Sequence, residues 1–188
     1  MYIFFDTETT GFPRGGSSFD PDQARVCQIA AILADKNLDI VDEYKTVIKP
    51  HNWTISKGAY DTHGISQEEC ERIGVHSHDA LKRFLKLALC SKYLIAHHAK
   101  FDRQMLKIEC EVHGEVVPEF DRVFCTMLLT KNAVGAHDKN GRVKNPSLVD
   151  AYKHIFDEDL ADAHDAMADT KGCMRIFKHL KEIGKIHE

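Results

Sequence analysis

Four carboxylates and one histidine stand where side chains of their types can act together. Asp6 and Glu8 lie one residue apart in "FFDTETTG", directly after the apolar run Tyr2 to Phe5. Strand side chains alternate, so the two point to one face, roughly 7 Å apart along the backbone. Two bare carboxylates so placed repel each other. A divalent cation that prefers hard oxygen ligands, such as Mg²⁺, converts that repulsion into binding. A solvated strand end would also account for the pair, and the two residues alone do not choose.

Asp102 follows the strand-like "YLIAHH" at the mouth of a helix, where α/β sheets gather their sites. A first-turn aspartate favoured by the helix dipole is the other reading. Asp169 falls inside the last long helical stretch, two residues after Met167 and four before Cys173. An aspartate buried there without a partner costs stability, unless it faces water. His164 stands five residues before Asp169. On one ideal helix that interval is a rotation of about 500°, which leaves the two some 140° apart. They meet only if His164 lies on the loop before the helix, and "DEDLADAHDAMADT" has few strong apolar residues before Met167 to oppose that.

The elements that must position these groups follow from hydrophobic periodicity. Residues 2–6 read as a short buried strand. A Gly/Ser/Pro-rich loop follows, then strands at 25–34 and about 40–49, joined by "DKNLD" as an antiparallel hairpin. Ser66 and Glu69 stand at capping-box spacing, so a helix begins there. "SHDALKRFLKLALC" is amphipathic, with Leu81, Phe84, Leu85 and Ala88 in one stripe. "KYLIAHH" reads as a strand running into a helix that carries Phe101, Met105, Ile108 and Val112 and stops at Gly114. Residues 122–134 fit a short strand followed by a helix without deciding it, and "GAHDKNGRVKNP" is a polar loop. Ser147 to Asp150 is a second capping-box spacing. The last helix covers about 165–183, with Ala166, Thr170, Cys173, Phe177 and Leu180 on one face. Three strands, a helix, a strand and further helices predict a three-layer α/β domain with a mixed sheet.

The 188 residues fit one domain, 1–188, with a substantial core. No segment approaches the ~20 apolar residues of a membrane span. The N-terminus shows no signal peptide, and cleavage there would remove Asp6 and Glu8, so residence in the cytoplasm is expected. The six cysteines show no CxxC pair and are expected to be reduced, mostly buried thiols. His76, His78, His97 and His98 lack zinc-finger spacing and are expected in loops. A net charge of −4 argues against coating nucleic acid by bulk attraction, although not against an enzyme that first recruits cations.

Taken together, "FDTETTG" (5–11), "HHAKFD" (97–102) and "HDAMAD" (164–169) resemble the three exonuclease motifs of the DnaQ-like, DEDDh-type 3′→5′ exonucleases, in the right order. "RVCQIAAILAD" and "HGIS" are similar to further segments of that family. The resemblance implies a ribonuclease H-like three-layer α/β fold, a five-stranded mixed sheet flanked by helices. It also implies two divalent cations, Mg²⁺ or Mn²⁺, held by Asp6, Glu8, Asp102 and Asp169, with Asp6 bridging them, and His164 as general base. Thr9, Thr10 and Gly11 would meet the terminal nucleotide, with Phe12, Ile65 and Phe101 against its base. For Phe12 and Ile65 ordinary core packing is the competing account. His98 departs from the family, which often has asparagine there. The chain ends soon after its last helix, so the tail by which a replicative proofreading subunit holds its polymerase is not expected.

The implied activity is removal of nucleoside monophosphates from the 3′ end of single-stranded nucleic acid, with DNA favoured because "FDTETTG" looks like the DNA-proofreading branch. That branch brings association with a DNA polymerase or a replication or repair complex as an expected partnership, and no membrane. An RNA-trimming or oligoribonucleotide-degrading enzyme on the same scaffold is the alternative, since the sugar is sensed at its 2′ position. A non-catalytic polymerase-associated subunit would be expected to lack one of the five residues. A small-nucleotide hydrolase remains, although no GxxxxGK[ST] phosphate loop is present. Of the basic residues, Lys139, Arg142 and Lys144 in the polar loop are favoured as phosphate contacts over the helix face of Lys100, Arg103 and Lys107.

Overall fold

The computed structural model describes residues 1–187. Its five strands are β1 (Tyr2–Thr9), β2 (Val26–Ala34), β3 (Ile40–Val47), β4 (Tyr93–Ala96) and β5 (Arg122–Cys125). They form one sheet in the order β3-β2-β1-β4-β5. β2 pairs antiparallel with both β1 and β3, whereas β4 runs parallel to β1 and β5. This is the mixed five-stranded sheet expected, with β1 at its centre.

The helices are α1 (Lys57–His63), α2 (Gln67–Ile73), α3 (Ser77–Ala88), α4 (Ala99–His113), α5 (Thr126–Val134), α6 (Leu148–Phe156) and α7 (Ala166–Glu182). None is long and apolar enough to cross a membrane. The strand alternation of β1 sorts two cores. Ile3 and Phe5 join Phe84 of α3 and Met105 of α4 on one face. Tyr2 and Phe4 join Cys173, Ile176, Phe177 and Leu180 of α7 on the other. There the Phe177 ring meets Phe4, Tyr2 and Phe124 edge-on, with centroids 5.4, 5.9 and 5.2 Å apart, the arrangement that aromatic quadrupoles favour. Asp6 and Glu8 continue the face that packs on α7; Thr7 continues the face that packs on α4.

Several boundaries differ from those expected. β1 runs through Thr9 rather than ending at residue 6, because β2 pairs with it along its whole length. α1 carries no apolar stripe, since none of its residues is buried. It is instead closed by Ser56, whose side chain accepts from the Ala59 amide, and by Gly64 at φ +71°. The ambiguous stretch resolves into β5 and α5. Ser147 and Asp150 form the reciprocal capping box expected of them. His78 lies within α3 and His76 is its N-cap, so neither is a loop residue. His97 is buried, its Nδ1 2.9 Å from the Thr126 hydroxyl and its Nε2 3.2 Å from the Pro146 carbonyl. Cys27, Cys70, Cys110 and Cys173 are buried thiols, and no described cysteine is in a disulfide.

Candidate functional site

The site forms at the carboxyl end of β1, where both faces of the sheet contribute. Cys173, Ile176, Phe177 and Leu180 seat α7 against Tyr2 and Phe4. One turn above Cys173, the same helix face delivers Asp169 to Asp6 and Glu8. Carboxylate oxygens of Asp6, Glu8 and Asp169 all lie within 4.8 Å of one another. Asp102 comes from the opposite side, from the first turn of α4, and stands outside that trio. It is buried, and its Oδ1 accepts from the Thr7 hydroxyl at 2.9 Å.

No described lysine or arginine pairs with these four carboxylates, so burial and mutual repulsion outweigh the few hydrogen bonds that oppose them. Burial, followed by Asp102, Glu8 and Asp169, holds the Asp6 carboxyl well above the usual range. Burial and then Asp169 push Glu8 up to about 8. Burial raises Asp102 to about 7 against the opposing bonds from Thr7. Asp169 is raised as well, by burial against the bond from the His164 amide. A compact set of hard carboxylate oxygens with no cationic side chain is the donor set that suits Mg²⁺ or Mn²⁺. The residues present therefore fit such an ion.

His164 lies outside α7, as the rotation argument requires, with an exposed side chain and a backbone in the left-handed region at φ +71°. Its amide donates to Asp169 Oδ1 at 3.3 Å, a bond that spans the five-residue interval. The next residue, Asp165, is the N-cap: its Oδ1 accepts from the Met167 and Ala168 amides at 3.1 and 3.2 Å, and its other oxygen takes the Lys45 ammonium. Burial opposes ionisation of Asp165, but the Lys45 and amide bonds outweigh it and its carboxyl lies below the usual range. Buried Gln28 accepts from the Ala166 amide at 2.9 Å. Side chains from β2 and β3 thus hold the start of α7 and the turn that carries His164.

A groove of about 930 Å³ opens from Glu8 along Thr9 to Phe12 and is walled by Trp53, His63 and Phe101. Phe12 is 86% exposed and stands edge-on to Phe101, with centroids 6.1 Å apart. His98 also stacks on Phe101, with centroids 5.8 Å apart and rings at 18°. Ile65 does not line the groove; it is buried in the first core, so core packing accounts for it. Thr9 and Thr10 line the groove but are largely committed to the protein. The Thr9 hydroxyl donates to the Gly11 carbonyl at 2.8 Å, and the Thr10 hydroxyl accepts from the Arg25 amide at 2.9 Å. The Thr10 amide and carbonyl are also bonded, to Arg25 and Ser56. The Arg25 side chain in turn forms a two-pronged, largely buried ion pair with Glu109, at 2.9 and 2.7 Å.

Thr7, Gln28, Lys45 and His63 carry no role in the sequence reading. His63 Nδ1 accepts from the Ile65 amide at 3.0 Å, so Nε2 carries the proton and faces the Thr9 carbonyl at 3.2 Å. The segment "HGIS" was the available signal for His63. For Thr7, Gln28 and Lys45 no local signal exists, because their partners are remote in sequence.

A family model described as RNase_T, Exonuclease, matches residues 3–177. No match is found among the curated proteins. Among solved structures, the chain is similar to E. coli exonuclease I in complex with a dT13 oligonucleotide, with a TM-score of 0.76 and 18% identity. It is also similar to the zinc-bound form of the exonuclease I–single-stranded DNA complex, with a TM-score of 0.76 and 20% identity. Those alignments cover 96% and 97% of this chain and 40% of the exonuclease I chain. Cell-death related nuclease 4 (CRN-4) aligns with a TM-score of 0.73 and 18% identity over 97% of this chain and 64% of its own. The chain therefore spans about 40% of the length of the exonuclease I structures.

Proposed function

The chain belongs to the RNase_T exonuclease family, and from that membership we propose that it is a metal-dependent 3′→5′ exonuclease acting on single strands. The observation that carries the proposal is the convergence of Asp6, Glu8 and Asp169 within 4.8 Å, with Asp102 and His164 beside them. Preference for DNA is supported by the exonuclease I structures, which hold dT13 and dA16 oligonucleotides. A single domain across 1–188 is part of the same reading.

Asp6, Glu8 and Asp169 would hold one cation, and Asp102 with Asp6 a second; Mg²⁺ or Mn²⁺ is the assignment, from the hardness of the donors. Bound there, two such ions would supply an activated water and charge stabilisation for the phosphodiester and its leaving oxygen. His164 accepts the proton of the attacking water at an imidazole nitrogen. Its amide bond to Asp169 keeps the base in register with the carboxylates. Thr7 fixes the Asp102 carboxylate, so that little reorganisation remains when the site loads. Phe12 and Phe101 offer the terminal base faces to rest on, a contact that tolerates any sequence. Gly11 lines the groove beside them. A DNA polymerase or a replication or repair complex is the partner class this activity would serve.

The test compares 5′-labelled DNA and RNA of one sequence in Mg²⁺, Mn²⁺ or EDTA, beside Asp6→Ala. Shortening that requires both metal and Asp6, faster on DNA, is expected. Faster trimming of RNA would assign the oligoribonucleotide branch. Release of phosphate from free nucleotides, with no strand shortening, would replace the proposal with a small-nucleotide hydrolase.

A further inference from the structure

The segment after α5 is more ordered than its polar composition predicts. The Lys144 amide donates to the Ala136 carbonyl at 2.8 Å, and His137 pairs with Val143 in an antiparallel bridge. Asp138 Oδ1 accepts from the Asn140 and Arg142 amides at 2.8 and 2.9 Å, and Gly141 turns the chain at φ +74°. Residues 136–144 are therefore a small hairpin arm whose acidic residue is engaged by its own turn amides. Legs of about three residues at ~3.4 Å each carry its tip some 10 Å from its feet.

Lys139, Arg142 and Lys144 project from this arm, all exposed. Among the described residues, none of the three lies within ion-pair distance of a carboxylate. Lys57 reaches Asp61, Arg83 reaches Asp42 and Lys171 reaches Glu43, whereas Lys100 and Arg103 on α4 are without such a partner among the described residues; what sets the arm apart is that three such cations share one short turn. In a chain of net charge −4, a turn that concentrates cations without acidic partners is an uncompensated positive patch. Its location adds to the point. The segment returns at buried Pro146, whose carbonyl is 3.2 Å from His97 Nε2. His97 directly follows β4, immediately before groove-lining His98 and five residues before Asp102. The foot of the arm thus returns to the end of the sheet where the parallel strands β4 and β5 stop, the same end that carries the candidate site.

We propose that this arm, through Lys139, Arg142 and Lys144, holds the phosphate backbone of the strand outside the groove, upstream of the terminal nucleotide. The inference rests on the exonuclease reading and deepens it: the carboxylates act on the last linkage, while the arm retains the rest of the strand between cuts. A substrate too short to span both places gains nothing from the arm.

The experiment replaces Lys139, Arg142 and Lys144 together by glutamine and compares the full chain with wild type in two readouts. Hydrolysis in Mg²⁺ is followed on a thymidine trimer and on a strand of about 25 thymidines. Binding of the labelled long strand is followed in EDTA by fluorescence anisotropy across a salt series. The variant is expected to keep trimer hydrolysis within about twofold, to lose at least about tenfold on the long strand, and to lower the salt slope of binding by about 2. Exchanging Lys for Arg and Arg for Lys at the three positions should restore both. Equal loss on trimer and long strand, or an unchanged salt slope, would overturn the proposal. If wild type cleaves neither substrate the exonuclease reading fails, and the salt slope still decides the arm.

Discussion

Thr7 and Asp102 are joined by a 2.9 Å hydrogen bond that crosses from the strand to the helix on the face opposite Asp6 and Glu8. The alternation of β1 sends two carboxylates to one side and the hydroxyl that orients a third to the other. Removing that hydroxyl without changing volume isolates its part. Thr7→Val is expected to cost ~1.5–3 kcal/mol in the buried, charge-assisted bond, and Thr7→Ser to recover most of it. In activity this corresponds to a fall of about ten- to a hundredfold. Mn²⁺ titration by calorimetry checks the cause: the valine variant should bind the cation more weakly and the serine variant as wild type does.

Lys45 bonds Asp165 from β3, and through that N-cap it bears on the turn carrying His164. The pair is partly exposed, so its direct contribution to stability is at most about 1 kcal/mol. Lys45→Met should lower kcat roughly five- to twentyfold with KM nearly unchanged, because a base displaced by ~1 Å is a poor base. Lys45→Arg should restore activity. A change in KM alone would mean that Lys45 acts on substrate binding instead.

His164 has a left-handed backbone, which costs an L-residue roughly 1 kcal/mol and which glycine adopts freely. His164→Gly should therefore be more stable than His164→Ala by about 1 kcal/mol, read by thermal melting. Both should lose about 10² to 10⁴ in kcat with the general base gone. Strain stored at a reacting group and relieved by an inactive substitution is a stability–activity trade-off readable in two variants.

The metal-free carboxylates predict an unusual pH profile. Asp6, Glu8, Asp102 and Asp169 have raised folded-state pKa values, so the folded protein binds protons more tightly than the unfolded chain does. Their stabilising contribution is complete below about pH 4 and is lost as pH rises through about 7 and 8, the values for Asp102 and Glu8. In EDTA the unfolding free energy should fall by on the order of several kcal/mol as pH rises from about 5 to 9, and the melting temperature should fall with it. Mg²⁺ or Mn²⁺ should flatten that slope, and Glu8→Gln should reduce it without metal.

That the five candidate side chains could converge was legible from residue type, spacing and the three motifs taken together. Helix rotation makes a loop position for His164 the condition for its meeting Asp169, and strand alternation puts Asp6 and Glu8 on one face, although the strand was expected to stop at residue 6. α1 escaped notice because it buries nothing and so leaves no periodicity. Ile65 could not be assigned to groove or core, since an apolar residue after a helix stop suits either. The residues that hold the site in shape were invisible for one reason. Thr7, Gln28, Lys45 and the Arg25–Glu109 pair act on partners brought near only by the sheet order, and local pattern carries no record of that. The hairpin at 136–144 reads as loop because its hydrogen bonds are few and its side chains polar.

The central claim is that this cluster shortens a single strand from its 3′ end. The most direct measurement follows two copies of one strand, labelled at the 3′ or the 5′ end, through a time course with the wild-type protein in Mn²⁺. The account predicts that the 3′ label leaves at once as a mononucleotide, while the 5′ label passes through a descending ladder. Loss of the 5′ label first, or 3′-labelled products longer than a single nucleotide, would contradict it.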